Sequence, residues 1–198
     1  MRTRDESKEL AIRQKAIEMI VKKGFDGLSM QKLAKAANVS PATIYIYFKD
    51  RDDLIVQLWV SEMEKMAAAS LEGFDSNMSF EEGLRLQWMN RAKFCMENQQ
   101  SIYFMEQIRH SPYDTLCQKK MDKRFLTMMG DFVHNAIKRK ELAPLPIEVY
   151  WSVAYSPLYQ LVRMHMLGKG MMGGAEKFVL DEKIMNQTLQ LVVKALKP

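Results

Sequence analysis

Hydrophobic residues recur at helical spacing in this chain, and no segment beyond residue 55 shows the two-residue alternation of a strand. In the first such segment, Ile12, Ala16 and Ile20 repeat every four residues and therefore share one face of a helix over about residues 5–23. Gly24 follows directly, at the position where a glycine commonly ends a helix. The pattern predicts an all-α fold of about nine helices.

Two short helices come next, joined by a tight turn. The first spans about residues 29–37, and the turn contains Asn38, a residue type that tolerates a left-handed backbone. Ser40 can cap the second helix by accepting a hydrogen bond from a free backbone N–H. Ile44 and Phe48 lie four residues apart and so face the core together. Such a pair forms a helix-turn-helix, whose second helix enters the major groove of DNA.

Longer helices are predicted for the rest of the chain. Ser79 and Glu82 form a capping box, which marks one helix start, and two prolines make the segment 142–146 a stiff joint. We predict helices over about residues 52–71, 79–98, 101–110, 113–140, 147–167 and 181–196.

The N-terminal pattern is specific enough to compare with known families. Its defining positions are Gly24, Phe25, Leu28, Ser29, Leu33, Ala34, Ala37, Val39, Ser40, Thr43, Ile44, Tyr45, Tyr47, Phe48 and Leu54. In these positions the chain resembles the DNA-binding domain of the TetR family of bacterial transcriptional regulators. The resemblance implies a DNA-binding domain over residues 1–55 and a helical ligand-binding and dimerisation domain over residues 56–198. Beyond residue 55 it is limited to length and helical layout, so it does not identify a ligand.

Phosphate contacts are expected from the polar groups of the second short helix. We expect the side chains of Tyr45 and Tyr47 to point outward and to bind DNA phosphates beside Lys49. The segment containing Arg2 and Arg4, and the helix N-terminus at Ser29, can add further phosphate contacts. These contacts set the position of the protein on DNA and make its affinity depend on salt.

Base recognition is expected from smaller side chains on the same two helices. Gln31 can pair with adenine, and Ala42 or the methyl group of Thr43 can contact the methyl group of thymine. The full set of predicted DNA-binding residues is Ser29, Gln31, Ser40, Ala42, Thr43, Tyr45, Tyr47 and Lys49.

The distribution of charge agrees with a DNA-binding N-terminus. The chain of 198 residues has a net charge of +5, which alone is weak support for a nucleic-acid partner. Residues 1–51 contain eleven Lys or Arg and six Asp or Glu, so their excess of five positive charges equals that of the whole chain. The remaining residues are therefore balanced.

The last two predicted helices carry apolar residues on more than one side, which predicts a homodimer. A single small domain does not easily cover both sides, whereas pairing with the same helices of a second copy forms a four-helix bundle. Members of the TetR family dimerise in this way. The apolar residues are Val153, Leu158, Leu161, Val162, Ile184, Met185, Thr188, Leu189, Leu191, Val192 and Leu196.

Methionine and aromatic residues are dense between residues 88 and 159, which favours a pocket for a small hydrophobic ligand. Taken singly, most of these residues are expected to be ordinary core, and Arg109 is a polar candidate. The predicted ligand-binding residues are Trp88, Tyr103, Met105, Arg109, Met128, Phe132, Tyr155 and Tyr159.

Nothing in the sequence indicates an enzyme, a cofactor or a metal. Cys95 and Cys117 do not form a CxxC pair, and we expect both to be buried thiols. The three histidines are scattered without metal-ligand spacing, and no glycine-rich phosphate loop occurs. No signal peptide or membrane span is visible, so we expect a cytoplasmic protein without a membrane partner.

The sequence predicts a ligand-responsive regulator, most simply a repressor that binds a palindromic DNA site as a homodimer. Two alternatives remain. The first is a DNA-binding protein of the same fold whose larger domain recruits a protein partner and binds no small ligand. The second is an enzyme with an accessory helix-turn-helix, which would need clustered acid, base or nucleophile residues that the sequence does not show.

Overall fold

The computed structural model describes residues 5–120, 123–170 and 177–198. Every regular element in these ranges is helical, which confirms the all-α prediction. A 3₁₀ turn, Phe25–Gly27, separates the first two α-helices. The ten α-helices are α1 Glu6–Lys23, α2 Met30–Ala36, α3 Pro41–Ile44, α4 Arg51–Ser70, α5 Phe80–Glu97, α6 Gln99–Arg109, α7 Asp114–Gln118, α8 Lys123–Lys138, α9 Ile147–Leu167 and α10 Glu182–Leu196.

The residues at the two ends of α1 explain where this helix begins and where it ends. The Asp5 carboxylate accepts hydrogen bonds from the backbone N–H groups of Ser7 and Lys8, and those bonds lower the pKa of Asp5 to about 2. Gly24 ends the helix with a φ of 67°, a backbone conformation that favours glycine. The predicted apolar face of α1 is confirmed, since Ile12, Ala16 and Ile20 are buried.

One predicted helix is wrong. The segment expected to form a single helix over residues 113–140 contains two helices in the described residues, α7 and α8. The two helices bury their apolar faces in different parts of the molecule. Cys117 of α7 belongs to the core of the N-terminal half, whereas Phe132 and Ala136 of α8 are buried elsewhere. The chain therefore has to break between them.

The molecule divides into two compact units. The N-terminal unit contains residues 1–65 and 98–121, and the C-terminal unit contains residues 66–97 and 122–198. The N-terminal unit thus includes α6 and α7 as well as the helix-turn-helix. Within it, α6 packs against α1, and the side-chain amide of Gln107 donates to the carbonyl of Val21 at 3.3 Å. A functional boundary at residue 55 remains a prediction.

The C-terminal unit is built mainly from α5, α9 and α10. In this unit α9 packs against both α5 and α10. The indole N–H of Trp88 on α5 donates to the carbonyl of Ala154 on α9 at 2.8 Å. Phe132 of α8 lies between Phe74 and Phe80, with ring centroids at 5.1 and 6.0 Å. Large aromatic side chains therefore fill the interior of this unit.

Candidate nucleic-acid interface

The two helices of the helix-turn-helix begin at serine caps, as predicted. The Ser29 hydroxyl accepts a hydrogen bond from the N–H of Lys32 at 3.2 Å, and the Ser40 hydroxyl accepts one from the N–H of Thr43 at 3.1 Å. Asn38 in the turn has a φ of 53°, which confirms the predicted left-handed residue. These local interactions fix where α2 ends and where α3 begins.

The inner face of the helix-turn-helix is buried as predicted. Leu33 of α2, Ile44 of α3 and Phe48 just after it are each fully buried. After Ile44 the chain continues in tight turns, and the N–H groups of Tyr47 and Phe48 both donate to the carbonyl of Ile44 at 3.0 Å. The buried residues anchor α3, so its opposite side is held toward solvent.

The outer face carries most of the predicted DNA-binding residues. Gln31, Ser40, Ala42, Tyr45 and Lys49 are exposed, with 54% of Tyr45 accessible. The other members are less open, because Ser29 and Thr43 are half-buried. The hydroxyl groups of Ser40 and Thr43 share a hydrogen bond of 2.8 Å, which leaves the Thr43 methyl group for other contacts. Arg2 and Arg4 lie outside the described residues.

The predicted outward orientation of Tyr47 is wrong. Its side chain is only 6% exposed, and its hydroxyl both donates to the carbonyl of Asp5 and accepts from the N–H of Asp5, each at 3.0 Å. The Tyr47 hydroxyl therefore binds the start of α1. A local signal for this orientation existed, because Ile44, Tyr47 and Phe48 have the i, i+3, i+4 spacing of one helical face.

Replacement of Tyr47 by phenylalanine tests this structural role. We expect Tyr47→Phe to lower the free energy of unfolding by about 0.5–1.5 kcal/mol, since the bonds to Asp5 are lost while the ring stays packed. Tyr45→Phe is the matched control, because its side chain is exposed, and its stability should change by less than about 0.5 kcal/mol. Urea denaturation measures both. Equal stability of the two variants would show that the Tyr47 hydroxyl holds nothing in place.

Two arginines near the interface are committed to internal contacts that the sequence did not reveal. The Arg51 guanidinium donates to the carbonyls of Phe25 and Leu28 and to the Tyr113 hydroxyl. Arg13 pairs with Glu9 at 2.7 Å and lies over a ring of the buried core. Both counted toward the N-terminal excess of positive charge, but neither is positioned as a free phosphate ligand. Exposed Lys32, Lys35 and Lys49 remain on the helix-turn-helix.

The predicted ligand-binding residues are divided between the two units. Tyr103, Met105 and Arg109 belong to the N-terminal unit, where Met105 packs against the core and Arg109 is exposed. The other five belong to the C-terminal unit. Of these, Trp88, Phe132 and Tyr155 are fully buried, Tyr159 is half-buried and Met128 is 38% exposed.

Two pockets on the described part of the C-terminal unit have walls that contain none of the predicted ligand-binding residues. The larger is an open pocket of about 460 Å³ between the start of α5 and the end of the chain, and the smaller has about 220 Å³. Their walls contain charged residues such as Glu81, Lys194 and Lys197. Apolar residues, among them Phe80 and Val193, also line these pockets.

Cys95 and Cys117 are both buried thiols, as predicted. Burial raises the pKa of Cys117 to about 11, so this thiol stays protonated at neutral pH. Across residues 5–120, 123–170 and 177–198, no three His, Cys, Asp or Glu side chains are grouped to hold a metal ion. None of the helices in those ranges has the length and apolar character needed to cross a bilayer.

Two family models match this chain, one in each half. The model of bacterial regulatory proteins of the tetR family matches residues 12–58, which include the whole helix-turn-helix. A second model, of tetracyclin repressor-like C-terminal domains, matches residues 80–191. Together they cover the DNA-binding region and most of the larger helical region.

Similar proteins agree with these matches. An HTH-type transcriptional regulator of Haemophilus influenzae is 34% identical over 133 residues, which are 66% of this chain and 68% of that protein. The crystal structure of a TetR-family transcriptional regulator from the same species has 26% identity and a TM-score of 0.77, covering 98% of this chain and 100% of that one.

A more distant structural neighbour shares the fold. It is the transcriptional regulator FadR from Bacillus subtilis in complex with stearoyl-CoA, at 19% identity and a TM-score of 0.71, covering 95% of this chain and 99% of that one. The family models and the Haemophilus relative decide the assignment, because they match at the level of sequence. This chain belongs to the TetR family of transcriptional regulators and contains its helix-turn-helix DNA-binding domain.

Proposed function

We propose that the protein is a repressor that binds a palindromic operator as a homodimer and is released from it by a small hydrophobic molecule. The observation that carries the DNA-binding part is that α3 and the turns after it have one buried and one exposed side. Ile44 of α3 and Phe48 after it are fully buried, while Ala42 of α3 and Tyr45 and Lys49 after it are exposed. A short, rigidly held helix with a polar outer side suits the major groove.

We assign phosphate contacts and base contacts to different exposed residues. Tyr45, Lys49 and the capped N-termini of α2 and α3 at Ser29 and Ser40 would bind phosphates. Gln31, Ala42 and Thr43 would contact bases. Since the Thr43 hydroxyl is bonded to Ser40, its methyl group is the part proposed to meet a thymine. Tyr47 would act indirectly, by holding the start of α1.

Two substitutions on α3 and its C-terminal end test this division. Thr43→Ala should change which base is preferred at one position of each half-site, by about 1–3 kcal/mol of discrimination. Lys49→Gln should weaken binding to all duplexes by a similar factor and reduce the salt dependence, because one phosphate contact is lost. The measurement is a salt titration of affinity on a bound duplex and on a scrambled one. Equal effects of the two variants on both duplexes would contradict the assignment.

Homodimerisation is supported by apolar side chains left at the surface of α9 and α10. On α10, Met185, Leu189 and Val192 are buried, whereas Leu191 on another side is 64% exposed. On α9, Val149 is 45% exposed. Half-buried apolar residues extend both surfaces, namely Val153, Leu161, Met164 and Ile184. A second copy pairing through the same two helices would cover these residues and bring two α3 helices to one DNA duplex.

Ligand response is supported by the continuity of α4. This helix runs from Arg51 to Ser70, and it contributes its first part to the N-terminal unit and its last turn to the C-terminal unit. A ligand that binds one arrangement of the C-terminal unit better than another could therefore act on DNA affinity through it. A hundredfold change in affinity needs only about 2.7 kcal/mol of coupling. The FadR neighbour, in complex with stearoyl-CoA, is an example of this fold with a bound ligand.

A second candidate is favoured by the filled interior of the C-terminal unit. Trp88, Phe132 and Tyr155 are packed as core, and the two pockets described above contain none of them. A protein partner recruited by the surface of this unit would need no internal pocket. A thermal-shift screen with small molecules separates the candidates, since only the ligand-responsive repressor should give compounds that stabilise the protein and also change its DNA affinity.

A further inference from the structure

A positive charge is buried in the C-terminal unit without an opposite charge. Arg91 of α5 is only 2% exposed. Its guanidinium donates to the Tyr159 hydroxyl at 2.8 Å and to the side-chain oxygen of Gln87 at 3.4 Å. In the described part of the chain, no carboxylate forms an ion pair with it. An arginine remains protonated under all ordinary conditions, so the charge is present in the interior.

Two hydrogen-bonding groups in this cluster lack partners among the described residues. They are the Nε of Arg91 and the side-chain nitrogen of Gln87. Gln87 is fully buried and Arg91 is 2% exposed. Both groups can donate a hydrogen bond, so the cluster lacks acceptors for them. An unpaired buried polar group costs about 1–3 kcal/mol, and a buried charge costs more.

The aromatic rings around Arg91 stabilise a cation but provide no anion. The guanidinium carbon lies 4.7 Å from the ring centroid of Tyr155 and 5.6 Å from those of Phe125 and Trp151. Burial raises the pKa of Tyr155 to about 12, so its hydroxyl is neutral at pH 7. Burial also raises the pKa of Tyr150. Neither tyrosine can serve as the counter-ion.

The outer side of the cluster offers a route from the surface. Trp151 on α9 is 37% exposed and Phe125 on α8 is half-buried, so both rings touch solvent as well as Arg91. Leu126 and Met128, also on α8, are exposed by 49% and 38%. Phe125 and Trp151 are therefore the ring contacts of Arg91 that an entering ligand would have to displace.

We propose that Arg91, with the side-chain nitrogen of Gln87, binds the carboxylate of an amphipathic ligand whose apolar part replaces the Phe125 and Trp151 contacts. The proposal rests on the ligand-responsive function and specifies the chemical class of the ligand. A carboxylate fits because one negative charge neutralises one arginine, and its oxygens accept from the two unmet donors. A dianionic group would leave a buried negative charge without a partner.

Matched probes test the charge requirement in the full-length protein. Decanoate and 1-decanol have the same tail length, and only decanoate carries a charge. We expect decanoate to bind the wild-type protein at least about tenfold more tightly by calorimetry, because the carboxylate pairs with Arg91 in a dry environment. Equal affinities for decanoate and 1-decanol would overturn the proposal.

Two variants on α5 test whether Arg91 causes the preference for decanoate. Arg91→Met should abolish the preference for decanoate, whereas Arg85→Met should keep it, because Arg85 is 41% exposed and bonds to Asn186 instead. A preference that survives in Arg91→Met would overturn the assignment. If Arg91→Met does not fold, the ion pair is tested in the wild-type protein instead, with decanoate labelled at its carboxyl carbon. NMR should then show the pKa of the bound carboxyl lowered by at least about one unit, and an unchanged or raised pKa would refute the ion pair.

Measurements on the same samples distinguish a failure of the carboxylate-site proposal from a failure of the repressor proposal. DNA affinity is measured with and without decanoate for each variant. Wild-type protein that binds decanoate through Arg91 but holds DNA unchanged would contradict the repressor proposal and leave the carboxylate site intact. Release of DNA by decanoate from the Arg91→Met variant would contradict the carboxylate site and leave the repressor proposal intact.

Discussion

Replacement of Phe48 by alanine is expected to lower the free energy of unfolding by about 3–5 kcal/mol and to abolish specific DNA binding. Phe48 is fully buried, its ring lies 6.3 Å from that of Tyr47, and the Arg13 guanidinium lies 5.1 Å from its centroid. Removing the ring leaves a cavity directly behind α3. The helix would then lose the support that holds its outer residues in position.

Ile46→Ala is the matched control for this prediction. It lies two residues from Phe48 and is 41% exposed, so its truncation should change stability by less than about 0.5 kcal/mol. Urea denaturation gives the stabilities, and hydrogen exchange at α2 and α3 shows whether the loss is local. Similar losses for Ile46→Ala and Phe48→Ala would mean that the inner and outer sides of α3 have been assigned wrongly.

The second large change in stability is expected from substitutions at two glycines, Gly83 and Gly130. Gly83→Ala is expected to lower the free energy of unfolding by about 1–3 kcal/mol, although alanine normally favours a helix. A methyl group at Gly83 would overlap the Phe132 ring and come within 3.2 Å of Phe74. Phe132 is fully buried and held between Phe74 and Phe80, so its ring cannot move aside cheaply.

Gly130→Ala on α8 should instead raise the free energy of unfolding. No atom lies within 4 Å of a methyl group added there, so only the helix preference acts. We expect a gain of about 0.5–1 kcal/mol. Thermal or urea unfolding of both variants tests the pair. If both substitutions stabilise the protein, the close packing of α5 against Phe132 is not real.

Features governed by near neighbours were predictable from the sequence. The serine caps of α2 and α3, the left-handed Asn38 and the buried pair Ile44 and Phe48 each depend on residues within about one helical turn. The all-helical fold followed from the same periodicity. The break between α7 and α8 was missed, because it depends on which core each helix joins.

Residues that act across long sequence separations could not be placed in this way. The bond between the Tyr47 hydroxyl and Asp5, 42 positions away, could not be predicted from local spacing, although the position of Tyr47 three residues after Ile44 already indicated the inner face. Arg91 meets Tyr159 across 68 positions, and the sequence showed only one more arginine on a helix. Its buried charge without a carboxylate partner is visible only when the aromatic residues of α8 and α9 are placed around α5.

Selection of bound duplexes from a random DNA pool by the full-length protein tests the central claim most directly. If the outer side of α3 reads DNA and α9 and α10 form a dimer, the selected pool should converge on a palindrome. Its half-site centres should lie about 10–10.5 base pairs apart, or a multiple of that distance. A pool without enrichment, or one that converges on a single site lacking two-fold symmetry, would contradict the account.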